Sequence, residues 1–175
     1  MKKIFLITLF SIYAASLVAQ SEEKKDKIIE DSKEAKQEFL DGDWQMKKHF
    51  SEAYGYVIYP NVGKGGIGIG GAAGNGVAYE QGTMVGMAKL SQVSIGFQWG
   101  GQAYREVIFF ESKKEMDRFK ENKVELSAQV SAVAVTAGAS ADAKYVDGVM
   151  VFTMQKGGLM YEAAVGGQKF KFNPF

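Results

Sequence analysis

The 175-residue chain has no cysteine, a single histidine and only two prolines. Without a thiol there is no disulfide, no thiolate metal ligand and no lipid-modified cysteine to anchor the chain. His49 stands alone beside Lys48 and Phe50, so a hydrolytic triad or a multi-histidine metal site has no ordinary way to form. Carboxylates are plentiful but fall in charged helical segments, not as an isolated pair in an apolar setting. Carboxylate-pair catalysis is therefore unsupported, and no cofactor is expected. A dominant charge is missing too: 21 Lys and Arg face 20 Asp and Glu. That balance supplies no global positive field for nucleic acid.

What is present begins with a targeting pattern. Lys2 and Lys3 precede an apolar run from Ile4 to Val18, and small Ala19 precedes a polar shift at Gln20 and Ser21. This is the layout of a secretory signal peptide; the run falls short of the ~20 apolar residues a membrane span needs. Cleavage is expected after Ala19, with Gln20 second, and the product is expected in the periplasm or cell envelope, or secreted outright. Loss of Lys2 and Lys3 leaves 19 basic against 20 acidic residues. Any anion recognition must then be local. The expected organisation is a signal peptide (1–19), an N-terminal helical segment (20–53) and a glycine-rich β core (54–175). The last two form one domain, long enough for one sizeable core.

Ile28, Ser32, Ala35 and Phe39 follow the i, i+4, i+7, i+11 spacing of one helical stripe. Asp41-Gly42-Asp43 breaks that helix, and a second is expected over Trp44–Ala53 with Asp43 as its N-cap. From Tyr54 the composition changes to glycine, valine, alanine and aromatics. Tyr56–Tyr59 reads as a strand ended by Pro60-Asn61. Gly65–Gly71 reads as another, with Ile67 and Ile69 on one face, and Gly74-Asn75-Gly76 as a turn. A hairpin is expected around Gln81-Gly82, then a strand in which Val93, Ile95, Phe97 and Trp99 alternate with small or polar residues. Arg105–Phe110 is apolar on both faces towards its end and reads as central. Ser112 and Glu115 have capping-box spacing before Met116 and Phe119. Alternation over Val124–Ala141 argues for one long strand, and Val149–Met154, Leu159–Val165 and Lys169–Phe172 complete the sheet. The expected class is α+β: a strongly curved or barrel-like antiparallel sheet with N-terminal helices and one internal helix.

Gly66-Ile67-Gly68-Ile69-Gly70-Gly71 matches G-x-G-x-x-G formally. That motif needs a helix to begin within it, and Ala72–Gly76 leads to another turn instead. A further echo links Gly55–Tyr59 and Lys64-Gly65-Gly66 with Gly148–Phe152 and Lys156-Gly157-Gly158. Two hairpins with similar turns explain it, as does a duplication placing Lys64 and Lys156 at related sheet ends. Glycines beside a lysine leave backbone N–H groups open to an anion. Lys64 and Lys156 are thus candidate anion contacts, with Lys89 and Arg105 as weaker additions near other strand ends. Ile28 and Phe39 are candidate apolar contacts with a lipid surface; packing of their stripe on the sheet is the competing fate.

Three blocks carry a resemblance: Ala53–Pro60, Lys64–Gly71 and Gly96–Gln102 resemble successive signatures of the SYLF domain. Val107–Phe110 with Phe119, and Gly157–Tyr161, resemble later ones, so the likeness runs from about Lys27 to Phe172. The resemblance implies a non-enzymatic lipid-binding module whose partner is a phospholipid or anionic lipid surface. Eukaryotic members bind phosphoinositides and some bind actin; actin binding is not expected of a chain with an export signal and no partner module. Bacterial members are often lipoproteins, a route closed here by the missing cysteine. The expected function is therefore peripheral attachment to a membrane surface of the cell envelope. The alternative is an integral outer-membrane β-barrel, suggested by the glycine- and aromatic-rich strands and by Phe170, Phe172 and Phe175. The charged helical segments argue against it.

Overall fold

A computed structural model describes residues 2–67, 69–95, 102–126, 130–156 and 165–175. The chain opens with a long helix, α1 (Lys2–Gly42), and a short one, α2 (Met46–Glu52). Asp43 shapes the turn between them, its Oδ1 accepting from the Gln45 N–H at 3.0 Å. The second helix nevertheless begins later than the sequence suggests, with Gln45 and not Asp43 in the N-cap position. The other carboxylate oxygen is engaged elsewhere, by the backbone N–H and hydroxyl of Ser140 at 2.9 and 2.8 Å.

Among the described residues seven strands follow: β1 (Gly55–Ile67), β2 (Ile69–Glu80), β3 (Thr83–Ile95), β4 (Gln102–Phe110), β5 (Ala132–Ala134), β6 (Val149–Gln155) and β7 (Lys169–Pro174). Helix α3 (Lys113–Lys120) separates β4 from β5. The strands form one sheet in the order β5-β6-β4-β1-β2-β3-β7. All pairings are antiparallel except β5 with β6. The α+β class expected from sequence is the one observed, with β4 central and the Gln81-Gly82 turn joining β2 to β3.

The sheet is strongly curved. Tyr59 on β1 and Phe170 on β7 are three strands apart, about 14 Å in a flat sheet, yet their rings stack with centroids 6.1 Å apart. The concave face buries Val57, Tyr59, Leu90, Ile108, Phe110 and Val151, with Met116 and Phe119 of α3 packed against it. Ser112 caps α3, its hydroxyl accepting from the Lys114 N–H. On the opposite face Tyr56, Ile58, Val107, Phe109 and Phe152 pack beneath Ala35, Phe39 and Met46.

Several local expectations are corrected. Pro60 does not end its strand; β1 runs through it, with the register shifting between Ile58 and Asn61 against β2 and between Tyr59 and Val62 against β4. Proline has no N–H to give a ladder, and a bulge is where a sheet accommodates that. Ile67 and Ile69 do not share a strand but are cross-strand partners at the end of the β1–β2 hairpin. Gly74-Asn75-Gly76 is no turn; it lies inside β2, where a Cβ on Gly76 would come within 2.3 Å of the Ile58 carbonyl oxygen. That close approach beside the bulge requires glycine. Gly68, Phe97, Trp99 and Leu159–Tyr161 lie outside the described residues.

The long strand expected over Val124–Ala141 reduces to β5, an isolated bridge from Glu125 to Lys169 and a 3-10 turn at Ala139–Asp142. Its alternation reports burial, not a ladder, because Val124, Leu126, Val130 and Ala132 are all buried. The Leu126 N–H bonds the Gln168 carbonyl beside β7, while β5 pairs with β6 at the other edge. Six residues separate these anchors, a reach of at most about 20 Å. The segment's described ends thus sit at the two opposite edges of the sheet. The sheet itself stays open, with α1 over its outer face. An integral barrel requires a closed ladder and a bare lipid-facing exterior, so the barrel alternative does not fit.

Candidate lipid-facing groove

Helix α1 packs on the outer face of the sheet, and its turns around Ile28 border a groove. Ser32, Ala35 and Phe39 are fully buried, whereas Ile28 is half-buried. Opposite those turns, the β1 bulge at Pro60 and Asn61 and the β2 residues Ala73–Asn75 form a floor. The resulting cavity is about 380 Å³, lined by Lys24, Lys27, Ile28 and Asp31 from the helix and Lys89 from β3.

The lysines of α1 have different fates. Lys25 and Lys33 pair with Glu22 and Glu30 at 3.8 and 3.1 Å. Lys36 donates to the Tyr56 hydroxyl at 2.7 Å and lies over the Phe50 and Tyr56 rings; burial holds its ammonium below the usual lysine range. Burial also pushes the Tyr56 hydroxyl up to about 12. Lys24 and Lys27 form no ion pair among the described residues, and neither does Lys89. Lys89 lies directly opposite Lys171 on β7, and both are exposed. Like charges directly opposite each other destabilise a sheet, an arrangement that an anion relieves. Within one turn of the groove lysines, Lys25 stands over the exposed ring of Phe175, 4.8 Å from its centroid.

The residues singled out from sequence separate accordingly. Ile28 and Lys89 meet in the groove. Phe39 is sealed beneath α1, and Arg105 reaches the same helix to ion-pair with Glu38. Lys64 sits within β1 opposite Gln102, and the Lys156 N–H bonds the Ala103 carbonyl just past β6. Both flank the start of β4, but adjacent β4 positions send their partners to opposite faces. The two lysines do not share a site. Lys24 and Lys27, which line the groove, and Lys171, opposite Lys89, were not singled out from the sequence; the i, i+3, i+4 spacing of Lys24, Lys27 and Ile28 is the signal that could have found the first two.

Elsewhere, polar side chains serve structure. His49 lies against Phe109 and Phe152, with Nε2 3.2 Å from the Ser140 carbonyl oxygen. The Ser140 hydroxyl donates to Asp43 and is fully buried, so this trio is a clasp and not a nucleophile with its base. Burial alone would raise the Asp43 carboxyl, but hydrogen bonds from Ser140 and Gln45 together hold it below the usual range.

Residues 91–173 match the family model Ysc84, described as "Las17-binding protein actin regulator". Beta cell expansion factor A of Aeromonas veronii is 30% identical over 122 residues, which are 69% of this chain and 46% of that protein. The chain belongs to the SYLF-domain family. It spans about half the length of the relative it matches. Membership of the SYLF family supports a lipid-binding type of module. The family match covers β4 to β6, α3 and most of β7, whereas Lys24, Lys27 and Lys89 lie before it.

Proposed function

We propose that this SYLF domain is a non-enzymatic module that binds anionic phospholipid surfaces of the cell envelope peripherally and reversibly after export. The observation that carries the reading is the groove under α1, where unpaired lysines from a helix and a strand converge around a half-buried isoleucine. Lys24, Lys27 and Lys89 supply the headgroup contacts, Lys171 extends them, and Ile28 supplies apolar contact beside them. The attraction is local, because exposed charges are screened within about 8 Å at physiological salt. Lysines near an anionic surface contribute about 1 kcal/mol each, enough for weak attachment without a membrane-spanning segment. Among the described residues no helix is long and apolar enough to cross a membrane. Actin binding forms no part of the proposal.

Co-sedimentation with vesicles of neutral, anionic and phosphoinositide-containing composition, each at low and high salt, tests it. Binding should rise with anionic lipid and weaken with salt. Equal binding to neutral and anionic vesicles, or none to either, would overturn the reading.

A further inference from the structure

The concave face carries a second, wholly different polar centre. Tyr59, Glu106 and Thr153 lie directly opposite one another on β1, β4 and β6, and Gln155 follows one pleat along, opposite Tyr104. From across the curve, just ahead of β7, Gln168 donates its amide to Glu106 Oε2 at 3.0 Å. Tyr59, Glu106, Thr153 and Gln168 are each fully buried. The second Glu106 oxygen, the Tyr59 and Thr153 hydroxyls and the side-chain carbonyls of Gln155 and Gln168 are all buried without a hydrogen-bond partner among the described residues. Buried polar atoms are normally paired, and five such oxygens in one curved sheet mark a place built for something else.

We propose that these five oxygens form a binding site for one small monovalent cation. Two of the five carry a hydroxyl proton and the others are acceptors, so the missing complement is electropositive. An all-oxygen set suits a hard cation. Glu106 is the single carboxylate, which balances one positive charge; a divalent ion would leave a buried excess. Burial pushes the Glu106 carboxyl up to about 8, against a lowering hydrogen bond from Gln168. The titratable groups facing it, Tyr59 and Tyr104, are raised by burial and by Glu106 itself, so they stay protonated. Without a counter-charge the centre is therefore neutral near pH 7, and a cation favours the ionised carboxylate. The site lies on the face away from the groove, and its test is independent of lipid binding.

Thermal unfolding of the full chain at pH 8.5 decides it, with choline chloride replaced at constant ionic strength by sodium, potassium, ammonium or calcium chloride. At least one monovalent ion should raise the midpoint saturably, by about 3–6 °C at tenfold excess over its Kd. Glu106→Gln should abolish that rise; should this variant not fold, Thr153→Val and Gln155→Leu should each diminish it. The same midpoint in every salt would overturn the proposal and leave the oxygens to buried water. A response to calcium alone, or a rise undiminished in the variants, would overturn it too.

Discussion

Two adjacent stretches of helix α1 carry one apolar stripe to different ends. From Ser32 to Phe39 the stripe is buried in an aromatic core, and polar neighbours are tied down: Lys36 to Tyr56, Glu38 to Arg105. From Lys24 to Asp31 the same helix stands over a groove with Ile28 only half-buried and two lysines unpaired. Identical spacing therefore does not imply identical use. Packing of an amphipathic helix on a sheet and contact with a lipid surface were competing fates for the stripe. The structure buries Ser32, Ala35 and Phe39 fully, and the proposed lipid contact is confined to the turns around the half-buried Ile28.

The largest effect should come from the packed stretch. Phe39→Ala opens a cavity in the core, and urea unfolding should show a loss of about 3–5 kcal/mol. A loss close to that of an exposed position would break the contrast. Next comes the clasp that ends the helix. The Asp43 carboxyl is held below its usual value in the folded state, so its stabilisation is complete above the unfolded carboxylate pKa and is lost as pH falls through the folded one. Acid titration of stability should therefore be shallower below about pH 4 in Asp43→Asn than in the parent chain. The smallest effect on folding belongs to the stretch beside the groove: Ile28→Ala should cost about 1 kcal/mol or less, since only part of its side chain leaves water.

How much of this was legible beforehand depends on which force each residue pattern reports. The Gln81-Gly82 turn, with φ of 49° and 77°, and the Ser112 cap were readable because local backbone chemistry decides them. The helical stripe was readable as a burial pattern. The groove beside Ile28 was not, because its floor is built by the Pro60 bulge and Ala73–Asn75, which belong to other strands. Alternation over Val124–Ala132 misled for a related reason: burial against the concave face and pairing in a ladder leave the same period of two. Among the lysines, Lys64 and Lys156 stand out locally for their neighbouring glycines and Lys89 for its strand, whereas the meeting of Lys24 and Lys27 with Lys89 in one groove is brought about only by folding. The buried oxygens around Glu106 come from four separated segments and leave no local signature at all.

The most direct measurement of the central claim compares two charge reversals on the same anionic vesicles. One chain carries Lys24→Glu, Lys27→Glu and Lys89→Glu; the other carries Lys64→Glu and Lys156→Glu. Surface changes of this kind should leave stability within about 0.5 kcal/mol. At about 1 kcal/mol per lysine near an anionic surface, the groove variant should bind at least about a hundredfold more weakly, and the sheet-end variant should lose much less. Equal losses in the two chains, or undiminished binding by the groove variant, would contradict the account.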